Sequence, residues 1–296
     1  MILVVGATGM LGSLITRRLL VQGRDVRILV RRQSTYLPLV DVGATPVFGD
    51  LKDRASLDAA CAGVTTVITT ANSALRGGAD NVQSVDFEGN RNLIDAARVA
   101  GVRQFIFVSA LGAQTNSPAP FVRAKAQTEE YLRASGLHYT ILAPNIFMEV
   151  WAARVIGEPL RAGQPVALVG EGRRKHAIVS MHDVAEYAVR TVGNRAAFDR
   201  YLMIGGPQAL SWRDMIDVYE EVLERDIHVQ FVPPGSPVSD LPEVMNALLC
   251  RMEECDSPVD MTRSAETFNV RLTPFVEFVR RQHEELAHVG PEWLYA

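Results

Sequence analysis

The chain has 296 residues, of which 48% are hydrophobic and 22% charged, and its formal net charge at pH 7 is −4. These values are typical of a globular protein and indicate no basic surface of the kind that nucleic-acid binding requires. Three cysteines are too few for a disulfide framework, and neither they nor the six histidines show the spacing of a metal site. No apolar stretch is long enough to cross a bilayer. We therefore expect a cytoplasmic protein with no metal, no membrane span and no nucleic-acid partner.

Strand and helix patterns alternate from the first residues to about residue 142. Short runs of β-branched and other apolar residues predict strands, and longer periodic segments, several of them followed by glycine, predict helices. In chain order, we expect a strand at 2–5, a helix at 14–21, strands at 26–30 and 45–48, a helix at 56–62, a strand at 64–69, a helix at 85–100, a strand at 105–109, a helix at 123–135 and a strand at 139–142. This alternation predicts an α/β fold with a Rossmann-type, doubly wound parallel sheet, whose ligand binds at the carboxyl ends of the strands.

The pattern is looser after about Pro144. Strands are expected at 166–168, 177–180 and 201–204, and helices at 182–192, 212–224, 242–254 and 274–288. We therefore predict two parts. An NAD(P)-binding Rossmann domain occupies 1–150, and a smaller substrate-side lobe, built partly on the same sheet, occupies 151–296.

A glycine-rich segment lies between the first strand and the first helix. Gly6 permits the tight turn, Gly9 lets the backbone approach a pyrophosphate, and Gly12 lets the helix pack against the strand. The start of the helix offers free N–H groups and the positive end of the helix dipole. Because a strand precedes the segment and a helix follows it, a dinucleotide site is favoured over a merely structural turn. The expected cofactor contacts in this loop are Gly6, Thr8, Gly9, Met10, Leu11 and Gly12.

The end of the second strand indicates which dinucleotide to expect. An NAD site usually carries an acidic side chain there, which accepts hydrogen bonds from the ribose. This chain instead has Arg31 and Arg32. A guanidinium can pair bidentately with a phosphate, so these arginines favour NADP(H) through its 2′-phosphate. The alternative is a solvated arginine pair on a loop.

Two further loops follow strands at the same edge of the predicted sheet. Asp50 and Leu51 come after the third strand, and we expect them to hold the adenine, with Asp50 accepting from its exocyclic amine. A simple aspartate turn is the alternative. Thr70, Ala71 and Asn72 end the fourth strand, and their small size leaves room for a ribose or the nicotinamide.

The chain resembles the NmrA-like, NAD(P)-binding group of the atypical short-chain dehydrogenase/reductase superfamily in four runs of sequence. They are GATGMLG at 6–12, GDL at 49–51, VDFEGNRNLIDAARVAGVRQFIFVSALGA at 85–113 and AKAQTEEYLRASGLHYTILAPNIFMEV at 124–150. Relatives in that group include NADPH-dependent reductases of quinones and phenylpropanoids, redox-sensing regulators and photosystem-assembly factors. The resemblance therefore implies the fold and the cofactor more firmly than the activity.

The resemblance also implies a proton-transfer site, which in the wider superfamily consists of a serine, a tyrosine and a lysine. Ser109 and Lys125 occupy the serine and lysine positions, whereas Phe121 replaces the tyrosine one helical turn before the lysine. Phenylalanine has no proton to give, so this chain departs from the standard mechanism. We expect Lys125 to bind the nicotinamide ribose and, with a pKa lowered by its surroundings, to act as an acid or base. The alternatives are a lysine that only holds the ribose and one that faces solvent near Glu129.

The segment after the sixth strand is expected to pass over the nicotinamide. Pro144 and Asn145 begin this segment, and Asn145 is expected to hydrogen-bond the carboxamide or a substrate. With Lys125, Ser109 and Asn145 as its catalytic residues, the site predicts an NADPH-dependent oxidoreductase for a small apolar acceptor such as a quinone or enone. Ser109 would polarise the acceptor oxygen.

A second hypothesis belongs to a different class of function. The chain would then be a non-catalytic, NADP(H)-dependent redox sensor or assembly factor whose binding surface changes with the cofactor. Phe121 favours this alternative, because it removes the usual proton donor. A sugar-nucleotide epimerase is disfavoured for the same reason, since that chemistry relies on the missing tyrosine hydroxyl.

Overall fold

A seven-stranded parallel sheet is the framework on which the expected site is built. The structure, a computed structural model, describes residues 1–73, 78–236, 238 and 241–288. Its strands, in chain order, are β1 Ile2–Val5, β2 Val26–Val30, β3 Thr45–Phe48, β4 Thr66–Thr69, β5 Gln104–Val108, β6 His138–Pro144, β7 Val166–Val169, β8 Arg200–Ile204 and β9 Val229–Val232. The sheet has the order β3-β2-β1-β4-β5-β6-β8, and every neighbouring pair is parallel. The predicted Rossmann-type sheet is confirmed.

Helices alternate with the strands along the chain. They are α1 Met10–Val21, α2 Leu37–Val40, α3 Arg54–Cys61, α4 Glu88–Val99, α5 Pro120–Arg133, α6 Glu158–Arg161, α7 Met181–Thr191, α8 Trp212–Leu223, α9 Glu243–Met252, α10 Thr262–Phe268 and α11 Phe275–His288. π-helical turns at Val82–Phe87 and Ala153–Gly157 precede α4 and α6, and a 3₁₀ turn spans Arg195–Ala197. Among the helices described, none combines the length and the apolar character that crossing a membrane requires.

The chain divides into two compact units. The first consists of Met1–Pro144, Met181–Ile204 and Ser264–Val270, and the second of Asn145–Ser180, Gly205–Arg263 and the segment that begins at Arg271. The seven-stranded sheet belongs to the first unit, and the parallel pair β7-β9 belongs to the second. The chain thus passes between the units several times, and the sequence-based boundary at residue 150 stays a prediction.

The core of the first unit lies against its central strands. β1, β4 and β5 are buried along their whole length, as expected for parallel strands that helices cover on both faces. Leu3, Phe105 and Phe107 of the sheet pack in one cluster with Leu57 of α3 and Leu93 of α4. Full burial of each such side chain contributes roughly 1.5–3 kcal/mol. This cluster therefore holds the strand ends that carry the site.

The direction of chain connections reverses at β1. This strand pairs with β2 on one side and with β4 on the other. In doubly wound sheets such a reversal opens a crevice at the carboxyl ends of the two central strands, where ligands bind. Here Thr70 N donates to Val5 O over 3.0 Å, so the residues after β4 lie beside the loop after β1.

Several helices begin earlier than the sequence pattern predicts, and two of them are instructive. α1 begins at Met10 rather than at residue 14, because the glycine loop leads directly into the helix with Gly9 as its N-cap. The helix expected at 85–100 is extended towards the N-terminus by the π-helical turn Val82–Phe87. Hydrophobic periodicity does not reveal the start of α1, since Gly12 and Ser13 interrupt the apolar pattern that Met10 and Leu11 begin.

The prediction of a strand at 177–180 is wrong. This segment forms only an isolated bridge between Phe147 and Val179. Its residues Ala177, Ile178 and Val179 are buried in the second unit. The apolar run therefore reflects burial in a core and not membership of a sheet. β9, α6 and α10 are observed without having been predicted.

Candidate functional site

The loop between β1 and α1 has the geometry of a phosphate cradle. Gly6 has a φ of 82°, and a Cβ at this position would lie 2.7 Å from Thr70 Oγ1. A Cβ at Gly12 would clash with the carbonyl group of Gly6. Gly9 differs, because the nearest atom to a Cβ there is Gly6 O at 3.4 Å. Gly6 and Gly12 therefore serve the fold, whereas the space beside Gly9 is open to a ligand.

The start of α1 adds hydrogen-bond donors to this cradle. No side chain caps the helix, and its first turn contains no acidic residue. The first N–H groups of a helix have no partner within it, and they attract anions together with the helix dipole. Thr8 and Met10 are partly or fully exposed, whereas Leu11 is buried. The loop fits a pyrophosphate, and Leu11 can reach one only through its main chain.

A cluster of charged side chains lies after β2 and β3. Arg31 Nη1 is 2.6 Å from Asp80 Oδ2, and Lys52 Nζ is 2.5 Å from Asp80 Oδ1. The hydrogen bonds from Lys52 and Arg31 lower the pKa of Asp80 to about 2. Arg32 instead lies over the ring of Phe48, 5.0 Å from its centroid. The two predicted phosphate-binding arginines thus have different partners, and sequence reasoning missed Lys52 and Asp80.

The residues predicted to hold the adenine form a turn after β3. Asp50 Oδ1 accepts a hydrogen bond from Lys52 N over 2.9 Å, as in an Asx turn. Leu51 is buried, and its carbonyl oxygen accepts a hydrogen bond from Asn92 Nδ2 over 3.3 Å. The carboxylate of Asp50 therefore stabilises its own loop, and its contact with adenine stays a prediction.

The residues after β4 contact the glycine loop. Thr70 Oγ1 donates to Gly6 O over 3.3 Å. Ala71 and Asn72 follow at the same edge of the sheet, where Asn72 Nδ2 donates to Thr70 O over 3.3 Å. A Cβ at Gly6 would lie 2.9 Å from Ala71 N, so this segment leaves no room for a side chain at position 6.

Lys125 of α5 is buried at the end of β5. It is 2% exposed, and its ammonium lies over the rings of Phe107 and Phe121, 4.9 Å and 5.4 Å from their centroids. Nζ donates a hydrogen bond to Val108 O over 3.1 Å. Burial lowers the pKa of Lys125, and two nearby carboxylates oppose this shift. The solvent-facing alternative for Lys125 is therefore wrong.

Asp86 supplies the nearest negative charge to Lys125. It lies in the π-helical turn before α4 and is 0% exposed, and its Oδ1 is 3.8 Å from Lys125 Nζ. Oδ2 accepts hydrogen bonds from Ser73 N and Ser73 Oγ, over 3.0 Å and 2.6 Å. Within the described part of the chain, no hydrogen bond reaches Oδ1. Lys125 therefore compensates this buried charge. Sequence reasoning missed Asp86, although an acid among buried positions was a usable signal.

Ser109 and Glu129 form a second buried pair at the same strand end. Ser109 Oγ donates to Glu129 Oε1 over 2.5 Å, and Glu129 Oε2 accepts from Arg133 Nη2 over 3.0 Å. Glu129 is 4% exposed. Burial raises the pKa of Glu129, and the hydrogen bonds from Ser109 and Arg133 oppose this shift. The hydroxyl expected to polarise an acceptor is therefore bonded to a carboxyl group.

Pro144 and Asn145 lie where β6 ends. Pro144 O accepts a hydrogen bond from Leu111 N over 2.9 Å. Asn145 Nδ2 donates to Ser257 O and Oγ, over 2.8 Å and 3.0 Å, and Oδ1 accepts from Ile146 N over 3.0 Å. The Asn145 amide thus has partners within the second unit, and its contact with the nicotinamide stays a prediction. Across the residues that the structure describes, no group of three or more histidine, cysteine or acidic side chains could hold a metal ion.

Comparisons with known proteins also indicate a nicotinamide dinucleotide as the ligand. Residues 6–195 match the family described as NAD(P)H-binding. The chain is 34% identical over 235 residues to the photosystem II assembly factor Ycf39 of Cyanophora paradoxa, covering 78% of this chain and 71% of that protein. It is 31% identical over 213 residues to the NAD(P)H azoreductase of Xenophilus azovorans, covering 71% and 70%. Its fold is similar to that of an NADPH-dependent quinone oxidoreductase of Escherichia coli complexed with NADPH, with a TM-score of 0.77 at 22% identity, covering 96% of this chain and 100% of that one.

Proposed function

The chain belongs to the NAD(P)H-binding family, among the atypical short-chain dehydrogenases/reductases, and from this membership we propose that it is an NADPH-dependent oxidoreductase. The proposed acceptor is small and apolar, such as a quinone or an enone. The observation that carries the proposal is the burial of Lys125 at the carboxyl end of β5. A buried, charge-paired ammonium beside the ligand edge of the sheet is characteristic of functional sites. When bound, the nicotinamide supplies a hydride.

Selectivity for NADPH is supported by the cations after β2 and β3. Asp80 holds Arg31 and Lys52 side by side, with one carboxylate oxygen for each. The oxygens of the 2′-phosphate of NADPH can bind the same two cations, whereas the 2′-hydroxyl of NADH carries no charge. Asp80 competes with the phosphate for these cations, so we expect it to limit the preference for NADPH.

The proposed mechanism assigns separate tasks to the buried side chains. Lys125 donates to the ribose of the bound nucleotide and keeps the strand end electropositive, while Asp86 fixes the position of its ammonium. The aromatic rings of Phe107 and Phe121 exclude water around Nζ. A quinone suits such a site, because its reduced anion needs only modest help from a protein acid.

The first test is a titration of the purified protein with NADPH and NADH, followed by NADPH oxidation with quinones, enones and azo compounds. We expect NADPH to bind more tightly than NADH and at least one acceptor to be reduced. Equal affinities would refute the phosphate assignment. Tight NADPH binding without turnover of any acceptor would refute the reductase.

A second candidate is a non-catalytic NADP(H)-dependent sensor or assembly factor. The likeness to Ycf39 assembly factors favours it, as does Phe121 in place of a proton donor. In that case the bound cofactor would change a protein-binding surface, and acceptors would not be reduced. The NmrA-like subgroup and the cytoplasmic location stay predictions in either case.

A further inference from the structure

Glu129 joins a buried hydroxyl to a solvent-accessible cavity. One carboxyl oxygen accepts from Ser109 Oγ at 2.5 Å, and the other accepts from Arg133 at 3.0 Å. A cavity of about 400 Å³ lies on the Arg133 side, lined by the loop 113–116 and by α5, including Glu129 and Glu130. The loop residues Gln114, Thr115 and Asn116 that line the cavity are exposed. The cavity therefore gives water a route to the carboxyl group that accepts from Ser109.

We propose that Glu129 relays protons from this cavity to Ser109, and that Ser109 in turn protonates the acceptor in place of the tyrosine replaced by Phe121. This inference rests on the proposed reductase function. It assigns Glu129 a role that acts only through Ser109, since Glu129 itself need not touch cofactor or acceptor.

The direction of the hydrogen bond explains how Ser109 becomes available. With Glu129 ionised, Ser109 Oγ–H donates to the carboxylate over the 2.5 Å contact, and this proton is not available to an acceptor. With Glu129 protonated on Oε1, the carboxyl group donates to Ser109 Oγ instead. The serine proton is then free to point at an acceptor oxygen. Protonation of Glu129 thus converts Ser109 into a donor for the substrate.

The step balances in atoms and charge. A quinone takes a hydride, with its electron pair, from the bound NADPH, which is oxidised to NADP⁺. The reduced oxygen forms an O–H bond with the Ser109 proton as the serine O–H bond breaks. Ser109 Oγ takes the proton from Glu129 Oε1, which leaves a carboxylate. Water in the cavity returns one proton to the Glu129 carboxylate, which then rotates so that the protonated oxygen again faces Ser109. One hydride and one proton thus yield the hydroquinone.

The charges around Glu129 suit a group that changes protonation. Burial raises the pKa of Glu129, and Ser109, Arg133 and Lys125 oppose this shift. From β8, Tyr201 lies under Arg133, with Arg133 Cζ 5.6 Å from the ring centroid. Burial raises the pKa of Tyr201 to about 12, so this phenol stays neutral in the working range. Asp86, on the other side of Lys125, is held by that ammonium.

The test compares Glu129→Gln with Glu130→Gln, an isosteric control on the same helix that lines the same cavity. We expect wild-type kcat with a quinone to fall as the pH rises through the pKa of Glu129. Glu129→Gln should lower kcat about tenfold, since a reduced quinone needs only modest help from a protein acid, and abolish this pH dependence. NADPH affinity should be unchanged in both variants, and Glu130→Gln should keep the wild-type profile. Ser109→Ala and the double variant Ser109→Ala/Glu129→Gln should be equally slow, because the two residues act in series.

A turnover-independent readout accompanies the kinetics. Infrared titration of the wild type and Glu129→Gln should show a protonated carboxyl band that persists above the ordinary glutamate pKa of about 4.3 and is absent in the variant. A Glu129 that is ionised at its ordinary pKa of about 4.3 overturns the relay. A wild-type pH profile in Glu129→Gln also overturns the relay while leaving the reductase intact. No turnover by NADPH-loaded wild type overturns the reductase, and the relay with it.

Discussion

The two ends of the proposed cofactor site differ in how they are built. At the phosphate end, the proposed binding groups are main-chain N–H groups and the partly exposed side chains of Arg31 and Lys52. The space beside Gly9 is open to the ligand. At the β5–α5 end, Lys125 and Glu129 are buried beside other charged or polar partners. Phosphate binding needs only local backbone geometry and positive charge. Proton handling needs groups removed from water whose charges compensate one another.

The largest effect is expected at the phosphate end. Gly9→Val should raise the Kd for NADPH at least about 100-fold, because the side chain fills the open space while meeting little of the protein. Its unfolding free energy should fall by no more than about 1 kcal/mol, the scale of a change at a helix N-cap. Isothermal titration and urea unfolding measure the two quantities.

Gly12→Val is the matched control for this separation of binding from folding. Because a Cβ at Gly12 clashes with the Gly6 carbonyl, we expect it to lower the unfolding free energy by more than about 2 kcal/mol. A stable Gly12→Val protein, or a Gly9→Val protein that binds NADPH normally, would contradict the assignment of these glycines.

At the β5–α5 end, Lys125→Met should lower kcat about 100-fold or more with the best acceptor. We expect this fall because the substitution removes the positive charge beside the reacting ring. Steady-state and single-turnover kinetics measure the change in rate. Lys175→Met, which removes an exposed ammonium, is the control. If Lys125 only grips the ribose, the variant will change the Kd for NADPH and leave kcat within about twofold.

The buried pair itself can be measured through stability. Lys125→Met leaves the Asp86 carboxylate uncompensated, so we expect a loss of about 3 kcal/mol of unfolding free energy. Asp86→Asn should rescue part of that loss, with a coupling energy of about 1–3 kcal/mol in a urea-unfolding double-mutant cycle. Additive effects of the two substitutions would show that the 3.8 Å contact between Lys125 Nζ and Asp86 Oδ1 contributes nothing to stability.

A smaller effect is expected on cofactor choice. Arg31→Ala should raise the Kd for NADPH about tenfold and leave that for NADH nearly unchanged, because only NADPH carries the 2′-phosphate. Asp80→Asn should act in the opposite direction, since it removes the carboxylate that competes for Arg31 and Lys52. Fluorescence titration with both nucleotides measures this. Parallel losses for NADPH and NADH in Arg31→Ala would contradict the phosphate assignment.

The smallest effect is a pH dependence of stability that comes from Glu129. Because burial raises its pKa in the folded state, the folded protein keeps a proton that the unfolded chain releases above about pH 4.3. The stability that Glu129 contributes is therefore largest below that pH and is lost as the pH rises through the folded pKa. Glu129→Gln should lack this decline above about pH 4.3 in urea unfolding, and Glu130→Gln should retain it. Identical slopes in wild type and Glu129→Gln would place the pKa of Glu129 at its ordinary value.

The sequence predicts those features of the site that depend on local structure. Gly6, Gly9 and Gly12 act on the main chain around them, so their spacing alone indicates the loop. Ser109 and Lys125 were identified through the resemblance and the strand–helix pattern, and both lie at the end of β5. These features are local, and local features are what a sequence pattern reports.

Long-range partners were not predictable in this way. Asp80 bonds Arg31 across 49 residues, and Asp86 meets Lys125 only because the π-helical turn and α5 pack together. The sequence indicates Glu129 only as a neighbour of Lys125 and not as the group that accepts from Ser109. Each of these contacts depends on tertiary packing, which hydrophobic periodicity does not encode.

Our main proposal is that the chain reduces an acceptor with NADPH and that the buried charged groups beside β5 assist this reaction. The most direct measurement is a stopped-flow single turnover of NADPH-loaded protein mixed with a quinone, for wild type and Lys125→Met. We predict rapid loss of nicotinamide absorbance in the wild type and a rate about 100-fold slower in the variant at saturating NADPH. Equal rates in the two proteins, or no oxidation of NADPH bound to the wild type, would contradict the claim.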